Sequence, residues 1–374
     1  MEEKIIDFLN KNPNLFIEPK FINKLYQSDF DKEEFNNNIL LWLTKHDKLR
    51  SEPSYKYSDK LNLELKIKYL QELPQPVQRT PEWFDLRHNH LTGTSISNIF
   101  DTQSSLNRLI FEKCKPIDVS KYKPSLSENS MTWGHKYEQL SCMLYEKYNN
   151  TKISDFGCIK HSTIDFLAAS PDGIVTGENN YGRMIEIKNV VSRVIDGIPI
   201  KDYYIQMQIQ MEVCDLNECD FIETKFTELN NREEYENEKE LEKGIIIVFV
   251  KNCEEYIYEY MPLKMEDYEK WIDDILEKYE NVEGLEWFKY IYWKLDIYSC
   301  VLVKRRREWF NYALSKIKQT WDIIQYEKYT EEYLKRAPKK REKKQQSEDM
   351  SLSDLETISG DIIPLTTKCL VKNI

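Results

Sequence analysis

Apolar residues recur in blocks over the first seventy positions, and their spacing predicts helices there. Ile5, Ile6, Phe8 and Leu9 begin one amphipathic stretch, and Ile39, Leu40, Leu41, Trp42 and Leu43 form a second segment. The third, Leu61, Leu63, Leu65, Ile67 and Leu70, alternates at period two and also fits a helix, so its type stays open. Leu73-Pro74-Gln75-Pro76-Val77 is a stiff connector and a natural boundary. Thr80-Pro81-Glu82 then predicts a helix start, with Thr80 as N-cap and Pro81 at the first helical position. After the small-residue turn Leu91-Thr92-Gly93-Thr94-Ser95, helices are expected at 95–100 and 132–148. Strands are expected at 155–161, 166–175 and 183–189, with a turn cluster at 176–182. A helix over 201–214 and strands at 220–226, 244–251 and 256–261 come next, with 227–243 a polar, acidic insertion.

Beyond Lys264 the chain reads as helical and aromatic, with Trp271, Trp287, Phe288, Tyr290, Tyr292, Trp293, Trp309, Phe310 and Trp321. A packed helical layer is expected there rather than a base-stacking platform. From Ala337 the composition turns to Lys, Arg, Glu, Gln and Ser, which predicts a largely disordered tail. The expected organisation is a mainly helical N-terminal extension (1–75), a core (80–262), an aromatic-rich helical layer (263–336) and a charged tail (337–374).

Composition narrows the classes. The 374 residues carry a net charge of −11 and are 41% hydrophobic. No run of 18 apolar residues exists, so no membrane-spanning helix is expected. The acidic start Met1-Glu2-Glu3-Lys4-Ile5 does not read as a secretory signal. Eight cysteines without a Cys-x-x-Cys pair read as reduced thiols in a cytosol-like compartment rather than as zinc ligands. The acidic balance argues against generic coating of nucleic acid, but not against an enzyme with a locally basic cleft.

The candidate chemistry lies at 170–188. Ser170-Pro171-Asp172-Gly173 precedes the turn, and Glu186-Ile187-Lys188 comes after it. Side chains alternate across a strand, so Glu186 and Lys188 share a face, and a hairpin at 176–182 brings Asp172 alongside. Two carboxylates beside an amine suit a hard cation such as Mg²⁺, with the lysine orienting a water for phosphodiester hydrolysis. The plain alternative is a turn and a surface Glu–Lys pair. Met184, Ile185 and Ile187 weigh against it, because they make the strand apolar and charges there costly unless used. Glu138 adds a carboxylate on the 132–148 helix, and Gln206, Gln208 and Gln210 add amides on the 201–214 helix.

This ordered set resembles the PD-(D/E)xK nucleases, and more narrowly the lambda-exonuclease-like and YqaJ-type viral recombinases, over about residues 80–262. Trp83-Phe84-Asp85-Leu86-Arg87 and then Thr92-Gly93-Thr94-Ser95 extend the likeness. The resemblance implies an α/β restriction-endonuclease-like core, a mixed central sheet flanked by helices, with helical extensions at both ends. It implies Asp172 and Glu186 as metal ligands together with the Ile187 carbonyl, Glu138 assisting the metal directly or through water, and Lys188 as the catalytic lysine. Arg87 would grip a 5′-phosphate, with Thr94 or Ser95 and Ser170 as hydroxyl partners and Gln206 and Tyr203 at the same phosphate. The family turn commonly reads Thr-Ala-Ser, so which hydroxyl faces the phosphate stays open here. His135 is expected to be a packing or supporting residue, and His161 structural.

The implied activity is Mg²⁺-dependent digestion of duplex DNA ends, 5′→3′, in viral recombination and repair, with Mn²⁺ as a substitute metal. Implied partners are double-stranded DNA ends, a single-strand annealing protein and two further copies in a trimer. The implied location is the cytoplasm or a viral replication site in the host cell. A flap or structure-specific endonuclease on the same core, and a non-catalytic DNA-binding protein on a decayed nuclease fold, are the alternatives. The N-terminal extension and the tail would bind a partner or cover the core. Two basic runs remain: Lys304-Arg305-Arg306-Arg307, a phosphate contact or a solvated helix end, and Lys339-Lys340-Arg341-Glu342-Lys343-Lys344, a nuclear-type address, a DNA contact or a solvated tail.

Overall fold

The computed structural model describes residues 57–118, 126–127, 129–239, 242–265 and 267–338. The expected segments at Ile5–Leu9 and Ile39–Leu43, and the basic run of the tail, lie outside the described residues. The ambiguous third segment is helix α1, Tyr57–Glu72. Leu63, Ile67 and Leu70 turn inward at helical spacing while Leu61 and Leu65 stay exposed. Helix α2, Pro81–His88, starts as its sequence dictates, the Thr80 hydroxyl accepting from the Trp83 N–H at 3.4 Å. Next come strand β1 (Leu91–Thr92), the single turn α3 (Gly93–Ile96) with a 3-10 turn after it, and α4 (Gln103–Cys114). Helix α5, Ser130–Asn149, opens on a capping box of Asn129 and Thr132 and ends at left-handed Asn150.

Each of the next two expected strand regions is broken, because each serves two sheets. At the first, β2 (Ile153–Ser154) lies just ahead of the expected range and only β3 (Ile159–Lys160) falls within it, and the second splits into β4 (Leu167–Ala169) and β5 (Gly173–Val175). Pro171, with no N–H for a ladder, sits at the second break. β3 and β4 join β1 in a three-stranded sheet. Strand β6 is Met184–Asn189, helix α6 Lys201–Cys214 and strand β7 Glu218–Leu229. Helix α7 (Arg232–Asn237) leads to β8 (Lys243–Lys251) and β9 (Glu255–Tyr260), then to α8 (Tyr268–Tyr279).

The expectation of helix beyond Lys264 fails at one place. Residues Leu285–Lys304 form a single 20-residue strand, β10. It lies inside the main sheet, whose order is β2-β5-β6-β7-β10-β8-β9. Its Trp, Tyr, Ile and Val content is strand-forming, and pairing on both sides overrides any helical reading. Register shifts between Trp287/Lys289 and Leu295/Ile297 interrupt its alternation. Helix α9, Arg307–Thr330, completes the chain's described part with a 3-10 turn at Glu332–Arg336.

Within the seven-stranded sheet only β6 and β7 run parallel, and the crossover between them is α6. Even-numbered residues of β6 face α6, where Met184 joins the core with Ile205, Met207 and Phe221. Odd-numbered ones, Ile185 and Ile187, pack with Tyr145 of α5. Helices thus cover both faces of a mixed sheet, an α/β architecture, with the site residues of β6 pointing at α6. Of the run Lys304–Arg307, Lys304 and Arg307 are exposed, while Arg305 is folded into this packing. Arg305 is nearly buried and ion-paired to Glu212 and Asp215, each at 2.7 Å, and Arg307 reaches the same Asp215 at 3.4 Å.

Candidate active site

Strand β5 leaves β6 after the Gly173–Ile185 pair, and that departure opens the site. Ile187 continues the series of β6 residues whose main chain points toward β5, but no β5 residue opposes it. The Asp172 carboxylate fills the gap, Oδ2 accepting from the Ile187 N–H at 2.7 Å. The proximity expected from the hairpin is therefore present, with the Ile187 peptide group as the link. Glu186, fully buried, pairs with Lys188 through Oε1. Its Oε2 accepts from Gln210 Nε2 of α6 at 2.8 Å, and the same nitrogen reaches the Ser170 carbonyl at 3.2 Å. Gln210 thereby ties Ser170 and Glu186 together from the helix side.

From the other side, α5 contributes Glu138, which meets Arg79 Nη2 at 3.7 Å. Arg79 has a left-handed backbone, φ 68°. Glu138, Asp172, Ile187, Lys188, Tyr203 and Arg193 line one cleft of about 450 Å³. The Lys188 ammonium lies 4.8 Å from the Tyr203 ring centroid. Asn189 is held by three hydrogen bonds: its Oδ1 accepts from Ser141 and Thr224, each at 2.7 Å, and its Nδ2 donates to the Gly134 carbonyl at 2.8 Å. These bonds lock the end of β6 to α5. A larger groove, about 1130 Å³, runs between residues 73–76 and α2, but it shares no residue with this cleft.

The electrostatics are unbalanced. Burial, and then the neighbouring Glu186, push Asp172 well above the usual carboxylate range. Burial also raises Glu138, against the pull of Arg79 and Lys188. For Lys188, burial acts downward, but Glu186 and Asp172 outweigh it and hold the ammonium above its ordinary value. Burial and the charge of Arg79 lower His135 to about 4, so it is neutral near pH 7.

The donors are all oxygens: two or three carboxylates and a main-chain carbonyl facing one ammonium. That set suits a hard divalent cation, whose charge would offset the surplus of acid. Among the described residues no three His, Cys, Asp or Glu side chains form a closed metal cage. An ion bound through one or two carboxylates, keeping its waters, needs none.

The other expected residues stand apart from this cleft. Arg87 stacks on Trp83, its guanidinium carbon 4.4 Å from the ring centroid. Lys113 crosses from α4 to donate to the carbonyls of Arg87 and His90 at 2.5 and 2.6 Å. The turn at 92–95 packs against Gln206, and a Cβ on Gly93 would lie 3.0 Å from the Gln206 carbonyl, so the fit there is tight. Ser95 is committed to the turn, accepting from the Thr92 N–H at 2.8 Å, while Thr94 is exposed. His161 accepts from the N–H groups of Thr163 and Ile164 at 3.1 Å, which holds a local turn.

Sequence reasoning missed Arg79, Arg193 and Glu223, and it offered Gln210 only as one of three helix amides. Gln210 had a signal, because it lies four residues after Gln206 on the same helical face. Gln208 points elsewhere, accepting from the Arg306 N–H at 2.7 Å.

Residues 82–217 match the YqaJ-like viral recombinase domain, and that stretch holds every residue that lines the cleft. The chain is 29% identical over 394 aligned residues to uncharacterized protein R354 of Acanthamoeba polyphaga mimivirus, covering 93% of this chain and 69% of that one. Among solved structures it is similar to the alkaline exonuclease LHK-Exo of Laribacter hongkongensis, with TM-score 0.39 and 19% identity, over 69% of this chain and 97% of that one. A phage-related exonuclease of Haemophilus somnus 129PT gives TM-score 0.36 and 12% identity over 64% and 95%. No helix among the described residues is long and apolar enough to cross a membrane.

Proposed function

We propose that the chain is a divalent-metal-dependent deoxyribonuclease of viral recombination type that digests duplex DNA from 5′ ends. The observation that carries the reading is the contact of Asp172 with the Ile187 N–H beside the buried Glu186–Lys188 pair. It brings two acids and an ammonium to one strand end, with Asp172 and Lys188 lining the cleft and Glu186 buried beside them. Asp172, Glu186 and the Ile187 carbonyl would hold the ion, with Glu138 reaching it directly or through water. When bound, Mg²⁺ supplies charge against the phosphoryl oxygens and eases loss of a proton from the attacking water.

The protein's own part is to fix the reactants. Gln210 and Lys188 hold Glu186 from both oxygens, and Tyr203 lies against the Lys188 ammonium. Lys188 donates to the water that attacks phosphorus. The water gives up one proton, for which the Glu138 carboxylate at the cleft is the placed acceptor, the new P–O bond forms as the bond to the departing sugar oxygen breaks, and that oxygen takes a proton from solvent. Arg87, carried by α2, would read the terminal phosphate, whose extra charge and exposed oxygens suit a guanidinium fork.

The test is digestion of linear duplexes, with and without 5′-phosphates, against closed circles. Expected are metal dependence, loss of activity with chelator and little attack on circles. Arg87→Ala should slow the phosphorylated ends by about tenfold and lose the preference for them, since a charge-assisted contact is worth roughly 1.5–3 kcal/mol. Equal rates on all three substrates would replace the exonuclease reading with an endonuclease one.

A further inference from the structure

We propose that Arg193, held by Glu223, is a substrate-binding residue that grips the DNA backbone phosphate next to the scissile one. The inference rests on the nuclease reading of the cleft and adds a contact to it. Val191, Ser192 and Arg193 line the same cleft as Asp172 and Lys188. Glu223 stands beside Lys188 across the β6–β7 pairing, on the same face of the sheet. Its side chain is fully buried, yet Oε1 meets Arg193 and Oε2 has no hydrogen-bond partner.

A surface salt bridge does not bury its acid in this way. Here a buried carboxylate is spent on orienting one guanidinium at the cleft wall. Arg193 gives one Nη2 hydrogen to Glu223 and a long contact from Nη1 to the Val194 carbonyl at 3.4 Å. That leaves part of its five-donor fork for a ligand at the cleft, where its side chain is 31% exposed. Its guanidinium carbon lies 5.6 Å from the Tyr203 ring, the same ring that the Lys188 ammonium approaches.

Two cations therefore converge on one aromatic ring at the cleft. Each is anchored by a buried carboxylate, Glu186 or Glu223, so a phosphate at this wall would meet two oriented cations with donors to spare. The loop also leaves Val191 and Val194 in solvent, 50% and 83% exposed, where a sugar or base edge of the bound strand would cover them. An arginine already anchored at one edge loses little freedom on binding, which is the condition for an efficient contact.

The experiment is equilibrium binding of a short 5′-phosphorylated duplex to the full chain, in chelator, over a range of salt. Arg193→Gln should weaken binding by about tenfold at low salt and lower the slope of log K against log salt by about one, the signature of one lost phosphate contact. Because that variant leaves Glu223 buried without a cation, the paired variant Arg193→Gln with Glu223→Gln keeps the test readable. It should melt near the wild type and still bind weakly with the reduced slope. Wild-type affinity and slope in the folded double variant would overturn the proposal. If Lys188→Ala abolishes cleavage while the double variant binds as the wild type does, the contact fails and the nuclease reading stands. If no divalent ion supports cleavage yet Arg193→Gln loses affinity, the reverse holds.

Discussion

Two charged clusters lie at opposite ends of the same pair of strands, β6 and β7, and they are built to different rules. At one end Arg183, 2% exposed, sits at the centre. It donates to Glu218 Oε2 at 3.1 and 3.2 Å and to Asp220 Oδ2 at 3.2 Å, and Tyr145 adds a hydroxyl to Asp220 at 2.8 Å. Its cation is fixed, forked and enclosed. At the other end the cation is Lys188, a flexible ammonium 24% exposed at a cleft, facing Glu186, Asp172 and Glu138. A closed cluster centred on a guanidinium holds strands together. An open cluster with more acid than base is strained until a further cation or substrate arrives.

The sharpest test of that contrast is Asp172→Asn. It should cut the cleavage rate by about a thousandfold, the scale of several kcal/mol of lost charge stabilisation, while the melting temperature holds or rises. Initial rates and a thermal melt on the same sample check both halves. A variant that loses its fold together with its rate would make Asp172 a structural residue like Asp220.

Arg183→Met should do the opposite. It leaves Asp220 and Glu218 without their cation, at a cost of roughly 3 kcal/mol in urea unfolding, and the molecules that remain folded should cleave normally. Unchanged urea stability would show that the enclosed cluster is not what holds this end of the strands.

The smallest effect is in pH. Burial and neighbouring acids raise Asp172 and Glu138 in the folded state, so the folded protein binds more protons there than the unfolded chain. Without divalent ions this contribution is complete below the ordinary carboxylate range and is lost as pH rises through the raised values. Mg²⁺ should oppose the loss, because it binds the deprotonated acids. Melting curves between about pH 5 and 9 should show a Mg²⁺-induced rise that grows with pH. A rise that shrinks with pH would mean that these acids are not the ligands.

The pairing of Glu186 with Lys188 was legible because period two admits only one face for both. Asp172 was legible because the turn at 176–182 folds its strand back. The Arg183 cluster was not, because Arg183, Glu218 and Asp220 are distant in sequence and meet only through the parallel pairing of β6 with β7. Arg79 and Arg193 lie in irregular segments without periodicity, so nothing local aims them. Strand β10 was misread for a different reason. At Trp287 and Phe288 both faces carry exposed aromatics, 50% and 47% exposed, and two register shifts break its alternation. A strand flanked on both sides in mid-sheet gives no simple hydrophobic stripe.

That late strand also sets the order in which the molecule can be completed during synthesis. Residues 218–260 emerge first and already contain β7, β8 and β9, yet β7 and β8 are not neighbours in the finished sheet. The hairpin of β8 and β9 can pack on α5, but it has no strand partner on its β8 side until residues 285–304 leave the ribosome and enter between it and β7. Two-stranded hairpins are marginal in water, so during that interval the nascent chain carries an open β8 edge rich in Ile, Val and Phe. Its yield in a cell should therefore respond to chaperone supply and translation speed more than its finished stability would suggest.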